Sequence, residues 1–334
     1  MTSVAVVYRA RAYDTPDDPF VAPGPGFRYD DDLGLAVSAE GVITARGSFA
    51  TVAAAHPGAT VIDLRSGILL PGLVDTHVHF PQVRVIGALG LPLLEWLERC
   101  ALPEEQHLAS PDYAAQIAGE FVAGLIAAGT TTSLVFGSHF GPAVETLFTE
   151  AERFGLRVTS GLVVSDRMLP GPLLTTPERA YAESMSLAAR WHGRGRARYA
   201  VTPRFSLSAS EAILEACAAV GADVEGAFFT SHVNENRAEV ATVLAQFPDR
   251  TDYVDTYAHH GLLGPRSVLA HNVQPCDAEL DMLAASRTSV AHCPSSNSAL
   301  GSGLFSLRRH VDAGVQVVRA PAPSVPTMKN GSSG

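Results

Sequence analysis

The sequence has little charge and almost no lysine. Charged residues make up 17% of its 334 positions, and Lys329 is the single lysine among 24 basic residues. Acidic residues number 34, giving a formal net charge of −10. Such a chain offers no basic stripe to a phosphate backbone or an anionic lipid surface, which excludes nucleic-acid and membrane partners and leaves a small, uncharged ligand as the expectation. The four cysteines, Cys100, Cys217, Cys276 and Cys293, show no CxxC spacing. That excludes a disulfide frame and predicts reduced thiols in a cytoplasmic protein. No apolar run approaches the ~18 residues of a membrane span, and the N-terminus lacks a basic-then-apolar leader. No strand-like run is followed by a Gly-rich phosphate loop, which weighs against a nucleotide-binding open sheet. With 29 Gly and 22 Pro, the composition is not that of a disordered or fibrous chain.

Hydrophobic residues reach 46%, enough for a sizeable core, and the length suits one large α/β barrel with an appendage. From Val4 to about Asp63, short apolar stretches alternate with Pro, Gly and Asp clusters, and LGLAVSAEGVITARG reads as a hairpin. This region predicts a small β unit. Eight strand-like runs follow, at 67–79, 130–139, 157–166, 197–206, 226–235, 267–273, 289–297 and 315–318. Helical patterns separate them, several opening on Ser, Thr or Pro and closing on Gly, as capped helices do. Strand–helix alternation implies parallel strands joined by crossover helices, and eight units predict an α/β fold of the (β/α)8 barrel type.

The strongest chemical signal is Asp75-Thr76-His77-Val78-His79, at the end of the first run. Residues two apart on a strand share a face, so His77 and His79 present paired imidazoles, as a metal requires; the alternative is a pair of structural histidines. His232 ends the fifth run and His271 the sixth. All strands of a barrel open on one rim, where the four histidines would gather around a metal with room for water. Glu235, three residues past His232, could move protons there, or could serve only as a loop carboxylate near a helix N-terminus. Arg204 and Phe205 close the fourth run and Gln82 follows His79. A guanidinium fork, an aromatic face and an amide suit a flat heterocycle. Asp166 and His292 lie near the same rim as packing or supporting groups. His259-His260 reads as a helix C-terminus, and Cys293 as structural.

PGLVDTHVHFPQ (71–82), LPLLEWLERCALPEE (91–105), GTTTSLVFGSH (129–139), VTPRFSLSAS (201–210), TSHVNENRAEV (230–240), SVLAHN (267–272) and AHCPSSNSALGSG (291–303) together resemble the guanine deaminases of the amidohydrolase superfamily. The resemblance spans about residues 60–317. It implies that His77, His79 and His232 bind one Zn2+ per subunit, that Glu235 shuttles protons, and that His271 polarises the attacking hydroxide. It implies that Gln82, Arg204 and Phe205 hold the purine, and that guanine and water give xanthine and ammonia in a cytoplasmic homodimer. The boundaries expected are 1–66 for the N-terminal part of a β-sandwich, 67–318 for the barrel and 319–334 for an aberrant tail. The family's eighth strand ends in a Gly-Thr-Asp element, and no acidic residue follows Asp312 here. The tail RAPAPSVPTMKNGSSG, with the lone lysine, therefore reads as a truncation or a shifted reading frame. Two alternatives remain at this level: an aminohydrolase of another aminopurine or a triazine, and a catalytically inactive metal-binding fragment.

Overall fold

The computed structural model of the chain describes residues 4–18, 24 and 26–319; the tail from 320 onward lies outside the described residues. The chain divides into two compact units, Met1–Gly72 and Leu73–Gly334.

The first unit is a four-stranded sheet of β1 (Val4–Asp14), β2 (Arg28–Ser38), β3 (Ile43–Ser48) and β4 (Thr60–Leu69), in the order β3-β2-β1-β4. The expected hairpin is β2–β3, antiparallel across a turn in which Gly41 takes φ +77°, open to glycine without strain. Pairing of β1 with β4 is parallel, so a crossover is needed, and the helix Phe49–Ala55 supplies it. Ser48 caps that helix by accepting from the Thr51 N–H, and Val52 packs with Val7 and Ala36. The strand-like run 67–79 is thus two strands: Gly67–Leu69 finishes β4, and Pro71-Gly72 separates it from β5.

The second unit is the expected barrel. Its strands are β5 (Leu73–His79), β6 (Thr130–Phe136), β7 (Arg157–Ser160), β8 (Val163–Val164), β9 (Arg198–Pro203), β10 (Phe228–Val233), β11 (Ser267–His271), β12 (Ser289–His292) and β13 (Val317–Arg319). The parallel order runs β13-β12-β11-β10-β9-β7-β6-β5, and β13 returns against β5, leaving a nearly closed ring. The third expected strand is split. A Cβ on Gly161 would stand 1.8 Å from the Ala200 carbonyl oxygen, so only glycine allows the backbones to approach there, and the ladder resumes beyond it as β8 against β9.

Helices cover the strands, and their ends are set by local chemistry. Ser110, Thr176 and Ser210 accept N–H bonds at the starts of Pro111–Ala127, Pro177–Trp191 and Glu211–Asp223. Gly155, at φ +70°, closes Gly141–Phe154. Their apolar faces bury Ile117, Leu125, Leu147, Leu187 and Ile213 in one continuous core with strand residues Val135, Val158, Leu269 and Val290. Among the described residues no helix is long and apolar enough to cross a membrane.

Candidate active site

The strand ends of the barrel bring the histidines together. In β5 the Asp75 carboxyl accepts the His77 N–H at 3.1 Å, pinning the backbone between the two imidazoles; burial pushes this carboxyl up to about 7. The His79 Nε2 lies 3.2 Å from His77 Nε2 and 3.0 Å from His232 Nε2, carried by β10. The His232 Nδ1–H donates to the Arg204 carbonyl at 2.6 Å, leaving its Nε2 lone pair turned inward. Burial, and then the neighbouring imidazoles, holds His77 and His79 well below the ordinary histidine value; burial does the same for His232, with His271 adding to it. Three neutral nitrogens therefore converge on one point.

That arrangement fits a metal ion. A tetrahedral zinc site with Zn–N bonds of about 2.0–2.1 Å has ligand edges of about 3.3 Å, close to the separations found. The same three side chains form a group able to hold a cation, and a second such group is His77, His271 and Cys293.

His271 reaches the cluster through unusual backbone. It adopts φ +76°, Asn272 follows at φ +43°, and Asn234 after β10 has φ +50°. Left-handed conformations cost free energy for residues other than glycine, and here hydrogen bonds hold them. Asn272 N–H donates to the Val233 carbonyl at 2.9 Å, and Asn234 Nδ2 donates to Asn272 Oδ1 at 3.0 Å and Glu279 Oε1 at 2.9 Å. The His271 Nδ1–H donates to Asn297 Oδ1 at 2.8 Å, which leaves Nε2 as an acceptor 3.4 Å from Glu235 Oε2.

Glu235 is buried at the head of the helix Arg237–Gln246. The Glu239 carboxyl accepts the N–H groups of Glu235 at 3.1 Å and Asn236 at 3.0 Å, completing a capping box that fixes the Glu235 backbone. Ser302 Oγ donates to Glu235 Oε1 at 3.3 Å. Burial pushes the Glu235 carboxyl up to about 8, so without a nearby cation it carries a proton at neutral pH. A divalent ion beside it would lower that value.

Below the cluster Tyr257 ties strand ends together. Its hydroxyl donates to the His232 carbonyl at 2.8 Å and accepts the Ser206 N–H at 3.0 Å. Tyr257→Phe leaves both groups buried without this partner, and is expected to lower unfolding free energy by about 2 kcal/mol in urea titrations.

The histidines and Glu235 form one side of a cavity of about 450 Å³. Gln82, Arg204 and Phe205 also line it, with Leu93, Trp96 and Leu97 supplying an apolar wall. All eight residues expected at the site thus face one cavity. Asp166 instead holds Ser210, the cap of the helix Glu211–Asp223, accepting from its N–H at 2.9 Å and from its hydroxyl. His292 stacks on Phe305 at 4.4 Å. His259 caps the helix Tyr253–Ala258, and His260 meets Glu211 at 2.6 Å. Cys293, read from sequence as structural, lines the cavity; burial pushes its thiol up, so it is a poor nucleophile there. Sequence reasoning missed Glu105, Asn297 and Ser302, because nothing local marks an acid, an amide or a hydroxyl that will meet a partner from a distant strand.

Residues 68–320 match the profile described as the Amidohydrolase family. The chain is 58% identical over 315 residues to a probable guanine deaminase of Deinococcus radiodurans, covering 93% of this chain and 72% of that one. It is 39% identical over 249 residues to the guanine deaminase of Escherichia coli, covering 75% of this chain and 57% of that protein, little more than half its length. A crystal structure of guanine deaminase from C. acetobutylicum with bound guanine superposes with a TM-score of 0.86 at 25% identity, covering 94% of this chain and 73% of that one. Matched along its barrel and over nine-tenths of its own length, the chain belongs to the amidohydrolase family, among the guanine deaminases.

Proposed function

We propose that this chain hydrolyses guanine to xanthine and ammonia with one zinc ion per subunit held by His77, His79 and His232. The observation that carries the reading is the approach of His79 Nε2 to 3.2 Å from His77 Nε2 and 3.0 Å from His232 Nε2, in a cavity shared by Glu235, Arg204 and Gln82. Zinc in that position supplies a water acidified toward neutral pH. The protein's own groups do the rest.

Trp96, Leu97 and Phe205 exclude water from the faces of a flat ring. Arg204 donates to a purine oxygen, and Gln82 reads the neighbouring ring edge. His271 Nε2, kept as an acceptor by Asn297, orients the incoming water through hydrogen bonding. Glu235 delivers its proton to the ring nitrogen beside the amino-bearing carbon, takes up the proton given up by the added water, and passes that one to the departing amine. Water adds at that carbon, the C–N bond breaks, and the products are xanthine and ammonia. A cytoplasmic homodimer is the proposed setting.

The test is ammonia release by the zinc-loaded chain on guanine, adenine and the triazine ammeline. Turnover of guanine alone supports the proposal, and ammonia no faster than from a Glu235→Gln control on every substrate overturns it.

The imidazoles also set the acid response. Their values lie far below 6.5 in the folded chain but near it when unfolded, so the unfolded state binds more protons below pH 6.5 and stability falls as pH falls. Because the folded site resists protonation, acid is expected to release metal only as the chain unfolds. Zinc release and loss of circular dichroism should coincide in an acid titration; release more than one pH unit earlier would contradict this.

A further inference from the structure

The cavity's recognition side is organised by a buried acid, Glu105, that stands behind the residues lining it. Glu105 comes from the segment Leu102–Gln106, far in sequence from the residues it meets. Arg204 Nη1 donates to its Oε2 at 2.5 Å and Nη2 to its Oε1 at 3.0 Å, while Gln82 Nε2 donates to Oε1 at 2.9 Å. Glu105 and Arg204 each expose only 3% of their side chains. The buried imidazole of His139 stands 3.8 Å from Oε2. Burial alone would raise the Glu105 carboxyl, but the charge and hydrogen bonds of Arg204, with smaller help from His139 and Gln82, bring it below the ordinary range.

An ionised carboxylate only accepts hydrogen bonds, so the Gln82 amide must turn its NH2 toward Glu105. Its carbonyl oxygen is then left for the cavity. The two Arg204 hydrogens directed at Glu105 fix the plane of the guanidinium and leave its other N–H groups as donors. The pair also neutralises the arginine, so the cavity carries no excess positive charge to favour an anion.

We propose that Glu105 is the positioning residue that sets the cavity's hydrogen-bond code, an acceptor from Gln82 beside donors from Arg204. That code matches a ring N–H next to a C=O, the lactam edge of an oxopurine. It mismatches the edge of a purine that lacks the oxygen. This inference rests on the proposed deamination of guanine and adds to it the residue that determines substrate class.

The test compares guanine with 2-aminopurine, which keeps the reacting amino group but lacks the lactam edge. In Glu105→Gln, the new amide competes for the donor side of Gln82 and removes the charge facing Arg204. The kcat/KM for guanine is expected to fall about 100-fold, chiefly through KM, as expected when a buried polar pair loses its partner. The slower reaction of 2-aminopurine should change less than about threefold, and Glu105→Asp should recover part of the guanine rate. Equal losses on the two substrates, or an unchanged KM for guanine, would overturn the proposal. If Glu105→Gln does not fold, Glu105→Asp is read alone, with the same selective loss expected at smaller size. Should the parent chain release no ammonia from guanine, the deaminase reading fails separately. Quenching of Trp96 fluorescence by xanthine against unsubstituted purine then decides the code: loss of xanthine preference in the variant supports it, and an unchanged preference refutes it.

Discussion

Glu235→Gln is expected to reduce guanine turnover by about 10³-fold, the range for removal of a positioned general acid, with little change in metal content or folding. Glutamine has the same shape. Its carbonyl can accept from Ser302, and its NH2 can donate to the His271 Nε2 that faces the carboxyl at 3.4 Å. Packing and hydrogen bonds therefore survive, and only the movable proton is lost. The pH profile carries the same information. The parent rate should decline as pH rises through the Glu235 value, which is about 8 without a cation and lower beside one. The residual rate of the variant should lack that decline. Ammonia release across pH 5–10 is the measurement, and a variant within tenfold of the parent would remove Glu235 from the chemistry.

His79→Ala should abolish metal retention. His79 Nε2 is the nitrogen close to both partners, 3.2 Å from His77 and 3.0 Å from His232. Deleting it leaves two ligands on separate strands. Loss of a hydrogen-bond partner behind a ligand already weakens metal sites 10–100-fold, and loss of the ligand itself should exceed that. Zinc at about 1,000 times its Kd would stabilise the parent by about 4 kcal/mol, and the variant by almost nothing. Thermal melts with and without zinc check this. A zinc-dependent rise in Tm that persists in the variant would mean that the ion is held elsewhere, with His77, His271 and Cys293 as the alternative group.

Much of this was legible in the sequence because it depends on short-range periodicity. Alternation along a strand places His77 and His79 on one face, and recurrence of histidine at later strand ends places His232 and His271 on the same rim. The eight-strand count survives, with two changes. The run 67–79 breaks at Pro71-Gly72, and the third strand is divided at Gly161, where a close backbone approach leaves no mark in the hydrophobic pattern.

What periodicity cannot show is which distant partner a polar side chain will meet. Glu104 and Glu105 are neighbours in one acidic helical turn and look equivalent. One bonds the Tyr113 hydroxyl on the next helix, and the other neutralises Arg204, 99 positions away. The left-handed turn at His271 and Asn272 was equally hidden, since it is held by Val233 and Asn234 from the adjacent strand.

The most direct test is X-ray absorption at the zinc edge on the zinc-loaded chain. The account predicts one ion per chain, three imidazole nitrogens at about 2.0–2.1 Å and no sulfur neighbour. A sulfur at about 2.3 Å, or a chain that retains no zinc, would contradict it.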